Sequence, residues 1–434
     1  MVTSSEALIL GSRVLLCAVV VFGLLRAAEA GRKLKFVNLI YRHGDRSPVS
    51  TYPKDPHTEK DWPQGFGQLT QVGMRQHYKL GQYLQRRYKD FLNSSYHREE
   101  IYVRSTDVDR TLMSALSDLA GLYPPHGHQI FKPDLNWQPI PVHTVPAEDE
   151  KLLMYPLKNC PRYEELLNAT MNCPQYKAIM RENHDFLKML SINVGVPFQQ
   201  VSLLTVWWIY DILYCERAHN FTLPAWVTPD RMEHMRQLKE FALKSDYEMY
   251  KWKEKSRLQG GVLLKQILQN ITRATCDSNS NPRLKLIMYS AHDTTIAALQ
   301  MALGVYSLAP TYAACQIFEL YQEKDGSFTV EMYYRNESNS EAYLLTLPSC
   351  TKSCPLKKFI QITADVIPKN WEKECRVHHS SIQIELILGL AIGSCFLLVI
   401  LFVCLKLWRR DMDQPLGYQK LTTHNEETEK MLSA

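Results

Sequence analysis

The sequence predicts an α/β fold: a doubly wound, largely parallel sheet with helices on both faces and an inserted helical cap. Three observations point to it. Apolar runs at 34–41, 101–104 and 284–289 are each followed by a segment whose apolar residues recur at helical spacing, the pattern of strand-and-crossover units. From about 145 to 255 the pattern is helical, most simply a cap over one edge of the sheet. Each apolar run also leads into charged residues, and open sheets bind ligands beyond the carboxyl ends of their strands.

The first strand covers Leu34 to Tyr41, and an amphipathic helix follows from about Gln71 to Phe91 with Thr70 as its cap. Its apolar face is Val72, Tyr78, Leu80, Tyr83, Leu84 and Tyr88, and His77 reads as a structural histidine. The second unit is Ile101 to Arg104 with a helix from Asp107 to Leu122, and the third is Leu284 to Tyr289 with a helix from Thr294 to about Leu303. Gln316–Gln322 and Ser327–Tyr334 flank Glu323-Lys324-Asp325-Gly326 and predict a hairpin. In the cap, Thr228-Pro229-Asp230 is a strong helix start, and the helix is expected to run to about Ser256.

The ends carry topology. Residues 1–30 combine Arg13, an apolar stretch from Val14 to Leu25 and Ala28-Glu29-Ala30, a secretory signal with cleavage expected after Ala30. The stretch is short for an uncleaved anchor. Residues 386–405 are 20 consecutive uncharged positions, long enough to span a bilayer, and Lys406, Arg409 and Arg410 place the 406–434 tail in the cytosol. A buried core helix would seldom be apolar on every face. The body, 31–381, is therefore expected in the lumen.

Acceptor sequons at Asn93, Asn168, Asn220, Asn270 and Asn336 all fall in that body. So do eight of the 11 cysteines, an even number that favours disulfides in an oxidising compartment. A net charge of +5 is spread along the 434 residues without a basic block, which argues against nucleic acid. No Cys-x-x-Cys or His-Glu-x-x-His occurs, so the zinc reading is weak, and no metal or cofactor enters the chemistry expected below.

The strongest signal is Arg42-His43-Gly44-Asp45-Arg46-Ser47-Pro48 directly after the first strand. An isolated Arg-His-Gly is more simply a basic surface loop. The longer pattern sets one imidazole between two guanidiniums, which depress its proton affinity and suit a phosphate dianion. The second strand leads to Arg104 and Arg110, the third to His292 and Asp293. Arg110 would stand in the first turn of a helix, where a cation opposes the dipole unless an anion joins it. Pairing with Asp107 or Asp109 is the plainer alternative. His292-Asp293 alone would read as a helix cap.

Together these residues fit hydrolysis of a phosphate monoester. His43 would attack phosphorus, Arg42, Arg46, Arg110 and His292 would hold the phosphoryl oxygens, and Asp293 would protonate the leaving alkoxide. Arg104 would have a supporting role. At about pH 5 the histidine must be neutral and the aspartate protonated, the reverse of their free values near 6.5 and 3.9. Neighbouring arginines lower the first, and bound phosphate raises the second.

On these motifs, with Trp62-Pro63-Gln64-Gly65-Phe66-Gly67-Gln68-Leu69-Thr70 and Arg104-Ser105-Thr106-Asp107-Val108-Asp109-Arg110-Thr111, residues 33–376 resemble the histidine acid phosphatases. The resemblance implies the histidine phosphatase fold, the roles just given, and a metal-independent homodimer. It also implies disulfides Cys160–Cys375, Cys215–Cys315 and Cys350–Cys354, and leaves Cys173 and Cys276 either paired or free. Tyr418 to Leu421 fits a tyrosine-x-x-apolar sorting signal read by coat adaptors. With the span, it resembles family members delivered to lysosomes as type I membrane precursors. A plasma-membrane ectophosphatase acting on nucleoside monophosphates is the alternative. A catalytically inactive ectodomain would be expected to have lost at least one of the site residues.

Overall fold

A computed structural model describes residues 31–276, 283–377 and 381–412. The expected signal, 1–30, and the tail residues Tyr418 and Leu421 lie outside the described residues. Two compact units divide after Arg376.

The first unit is built on a seven-stranded mixed sheet in the order β2-β3-β1-β4-β5-β6, with β7 also paired to β5. Strands β1 (Lys33–Arg42), β2 (Ile101–Ser105) and β3 (Leu286–Ala291) are parallel. The expected hairpin, β4 (Cys315–Gln322) and β5 (Phe328–Arg335), extends the sheet antiparallel, followed by the short β6 (Tyr343–Leu345) and β7 (Cys354–Pro355).

In chain order the helices are α1 (Gln71–Arg87), α2 (Asp109–Leu122), α3 (Pro161–Asn172), α4 (Pro174–Glu182), α5 (His184–Val194) and α6 (Leu203–Ala218). Then come α7 (Pro229–Tyr247), α8 (Trp252–Leu258), α9 (Gly260–Ala274), α10 (Asp293–Leu303), α11 (Leu356–Thr363) and α12 (Trp371–Glu374).

The central strand β1 separates two halves of the core by its period of two. Val37, Leu39 and Tyr41 join Leu80, Leu84 and Leu119 of α1 and α2 on one face. Phe36 and Ile40 join Ile267, Ile271 and Leu299 of α9 and α10 on the other. Burial of this kind stabilises by about 1.5–3 kcal/mol per large side chain. The cap has its own core, in which Leu190, Val206, Ile209 and Met235 pack together.

Most elements lie where the pattern placed them, with informative exceptions. Thr70 caps α1 by accepting from Gly73 N, but the helix stops at Arg87, and Val72 and Tyr78 face solvent. Thr228 caps α7 as expected, but that helix stops at Tyr247 rather than near Ser256. Tyr250 and Lys251 take positive φ, and the chain restarts as α8. The break folds α8 back so that Lys255 Nζ donates to Ser245 O and Thr170 Oγ1, both at 2.6 Å.

Disulfides join Cys160 to Cys375 and Cys350 to Cys354, while Cys173 and Cys276 are free thiols. The expected Cys215–Cys315 bond is absent, and both are buried free thiols. Cys315 lies on the sheet face covered by α1 and α2, whereas Cys215 on α6 contacts Arg46 and Tyr312 at the strand ends. Of the sequons, Asn93, Asn168 and Asn220 are exposed and Asn336 is half-buried. Asn270 is a correction. It is buried, and its Nδ2 donates to Asn38 Oδ1 at 3.0 Å and Tyr289 Oη at 2.9 Å, leaving no amide for a glycan.

Among its described residues the second unit has one helix, α13 (Ser381–Met412), within which Leu388–Arg409 has a mean hydropathy of 2.8. It is long and apolar enough to cross a bilayer.

The loop after β1 lies directly on α1. A Cβ on Gly73 would stand 2.2 Å from Asp45 O, and one on Gly44 would stand 2.5 Å from Gly73 O. Both neighbours are backbone and cannot swing away. Gly73→Ala is therefore expected to cost about 1–3 kcal/mol of overpacking, read by urea unfolding. A loss below about 0.5 kcal/mol would show that this contact does not fix the loop.

Candidate active site

Parallel register brings the three strand ends level. Arg42 pairs with Ala291, and Ser105 with Ser290, so the residues that follow emerge side by side. Antiparallel pairing of β4 sets Tyr41 opposite Cys315, which adds the loop before β4 to the same edge. His43 N donates to Ala291 O at 3.0 Å, and Ala313 N donates to His43 O at 3.2 Å. The expected residues Arg42, His43, Arg46, Arg110, His292 and Asp293 thus converge.

The signature loop is held from several sides. Gly44 N donates to Ser114 Oγ at 3.1 Å, and Asp45 N donates to Gln76 Oε1 at 2.8 Å. Thr70 Oγ1 donates to Asp45 Oδ1 at 2.5 Å, and His219 at the end of α6 lies 2.6 Å from the same oxygen. From below, the buried His77 places Nε2 3.0 Å from Arg42 O, so it is structural as expected.

His43 is 2% exposed, and its Nδ1 lies 2.8 Å from Gly44 O. A carbonyl only accepts, so Nδ1 carries the proton and the lone pair falls on Nε2. Burial first, then Arg42, Arg110 and Arg46, hold the imidazole well below its ordinary pKa. Desolvation is thus the larger cause, with the arginines second. His292 is pushed down to about 3 by burial and then Arg110, and its Nε2 lies 3.1 Å from Thr106 Oγ1.

The guanidiniums are only partly matched. Arg42 donates to Pro310 O at 2.7 Å, pairs with Asp293 Oδ2 at 3.1 Å and lies over the Tyr312 ring. Arg46 pairs with Asp211 at 3.0 Å. Arg110 has no ion pair among the described residues, so pairing with Asp107 or Asp109 is not seen, and Asp109 Oδ2 accepts from Gln68 instead. Burial and Arg46 push Arg110 down to about 10. The Nε atoms of Arg42, Arg46 and Arg110 are all buried without a partner among the described residues. Unsatisfied buried donors are costly, and three around one imidazole suit an acceptor-rich dianion.

Asp293 opens α10, where its Oδ1 accepts from Thr294 N at 2.9 Å. Burial raises its pKa, but Arg42, Lys239 and Arg46 outweigh burial and hold it well below the carboxylate range. Without a ligand, therefore, this carboxylate is ionised in moderate acid. Arg104 stands apart, paired with buried Glu150 at 2.9 Å, where it anchors the start of the cap.

Sequence reasoning missed Asp211, Cys215, His219 and Lys239 on the cap and Pro310 and Tyr312 before β4. Asp211 and Cys215 share one face of α6 by their spacing of four, but only the fold shows that this face meets Arg46.

The model of the histidine phosphatase superfamily, branch 2, matches residues 33–335. Lysosomal acid phosphatase of Homo sapiens is 51% identical over 390 residues, covering 89% of this chain and 91% of the relative. Prostatic acid phosphatase of Bos taurus is 53% identical over 350 residues, covering 80% and 89%. Among solved structures, Hafnia alvei phytase in complex with tartrate matches with a TM-score of 0.61 at 16% identity, covering 80% of this chain and 99% of the phytase, a likeness of fold. With the site and these relatives in agreement, the chain belongs to the histidine phosphatase superfamily, branch 2.

Proposed function

We propose that this acid phosphatase hydrolyses phosphate monoesters through a phosphohistidine on His43. One observation carries the reading: a buried, neutral imidazole with its lone pair on Nε2, ringed by three guanidiniums with unsatisfied N–H groups.

In the first half-reaction Nε2 bonds to phosphorus as the ester P–O bond breaks in line, and Asp293 gives its proton to the departing alkoxide. In the second, water attacks phosphorus, Asp293 takes its proton, and the N–P bond breaks to return imidazole and release phosphate. Arg42, Arg46 and Arg110 hold the non-bridging oxygens and stabilise their charge. His292 neighbours the phosphoryl site as a further ligand.

Asp293 must hold a proton for the first step, and the substrate supplies the means. A single negative charge about 4 Å away is worth about 4 kcal/mol at an effective dielectric of about 20, on the order of three pK units. A phosphate dianion also competes for Arg42, the strongest of the cations lowering Asp293. Substrate binding thus protonates the acid, and acidic surroundings ease that uptake.

The named relatives suggest the lysosome as the site of action. The apolar helix fits a type I anchor behind a luminal domain spanning about 31–381, with the expected signal before it and the tail in the cytosol. A homodimer and recognition of Tyr418 and Leu421 by coat adaptors are supported by the family resemblance and the sorting pattern. The exposed Asn93, Asn168 and Asn220 are suited to carry glycans.

Turnover of a labelled aryl phosphate, quenched in alkali, should leave base-stable, acid-labile label on His43, and His43→Ala should lower kcat by at least about a thousandfold. Label on another side chain, or appreciable turnover by His43→Ala, would overturn the reading. Asp293→Asn should slow alkyl phosphates at least about tenfold more than aryl phosphates, whose leaving groups need little protonation. Equal losses in kcat/KM on the two classes would remove Asp293 from the acid role.

A further inference from the structure

A cavity of about 330 Å³ opens beside Arg42, walled by α6, α7 and the loop before β4. Lys239 of α7 lines it. This lysine is only 8% exposed, and its Nζ lies 5.5 Å from the Tyr210 ring centre and 5.7 Å from that of Trp207. Among the described residues it makes no hydrogen bond or ion pair. Cation–π contact supplies about 0.5–2 kcal/mol, whereas withdrawing an ammonium from water costs several.

The other charges in the wall are already matched or solvated. Asp211 pairs with Arg46 at 3.0 Å. Glu240 accepts from Tyr306 Oη at 2.7 Å and Ala309 N at 3.0 Å. Arg236 is gripped by Glu233 at 2.7 Å, and Glu337 is exposed. Among the described residues Lys239 is the wall cation without a hydrogen bond or ion pair, feeling Asp293 only through space, in a cavity that shares Arg42 with the phosphoryl site.

We propose that Lys239 marks a leaving-group subsite for a second anionic group, so that this chain favours phosphate monoesters whose leaving group carries a negative charge. The proposal rests on the phosphatase reading above. The ester phosphate sits among Arg42, Arg46 and Arg110, and the leaving group extends into the cavity toward the cap. There the aromatic rings of Tyr210 and Tyr312 flank it, and its anion meets the ammonium. A desolvated ammonium repays a charged partner far more than a neutral one of the same shape.

Two synthetic esters of matched size test this at about pH 5.5, 3-carboxyphenyl phosphate and its neutral 3-carbamoyl counterpart. The parent full-length protein should favour the carboxylate. Lys239→Met should lower the ratio of kcat/KM for carboxylate over carbamoyl about tenfold, chiefly through KM, and Lys239→Arg should retain most of it. An unchanged ratio, or a fall shared equally by both esters, would overturn the subsite, the latter being what a lysine acting only through Asp293 or the fold would give.

A variant-free measurement guards against misfolding of Lys239→Met. On the parent, 3-carboxyphenyl phosphonate should inhibit about tenfold more strongly than the 3-carbamoyl phosphonate. Equal inhibition would likewise overturn the proposal. Failure of the parent to hydrolyse either ester would instead sink the phosphatase reading itself.

Discussion

Everything in the site depends on keeping one imidazole uncharged beside fixed cations. Burial does most of this, because an imidazolium at His43 would be desolvated as well as repelled by Arg42, Arg110 and Arg46. The bond geometry at Gly44 O then decides which nitrogen holds the lone pair. A neutral base in acid and a set of arginines waiting for an anion are therefore one device. The same field that empties His43 of its proton also empties Asp293, and the substrate's charge separates the two.

The scaffold supplies rigidity for this arrangement from both sides. Level strand ends bring Arg42, His43, His292 and Asp293 together, and Ser114, Gln76, Thr70 and His77 fix the loop from within the sheet domain. The cap closes it through Asp211 on Arg46, His219 near Asp45, and Glu150 on Arg104. The carboxylates of Asp211 and Glu150 therefore answer Arg46 and Arg104, while Arg110 has none among the described residues. A site balanced completely by its own carboxylates would gain little from a phosphate, whereas this one leaves donors unsatisfied where the oxygens would lie.

Much of this was legible in the sequence, for a physical reason. Strand ends are short, strongly apolar and followed at once by their functional residues, so Arg42, His43, His292 and Asp293 could be placed without knowing the packing. The cap residues could not, because a helix repeats its spacing whether or not a face meets the site. Nothing in the sequence separates Lys239 and Asp211 from ordinary helical charges, and only the fold turns them toward the site. Asn270 shows the converse, a correct sequon on the buried face of α9. The break before α8 was hidden because Tyr250 and Lys251 are unusual residues for positive φ, and what fixes the turn is the distant docking of Lys255. The Cys215–Cys315 pairing came from resemblance, and the positions of the two thiols do not support it.

The protonation state of His43 in the ligand-free protein tests the central claim most directly. Side-chain nitrogen shifts of histidine-labelled protein, followed from about pH 7.5 to about pH 4.5, report both the charge and the tautomer. The account predicts a neutral ring throughout, protonated on Nδ1, with Nε2 bare. A midpoint near the free value of about 6.5, or a proton on Nε2, would contradict it.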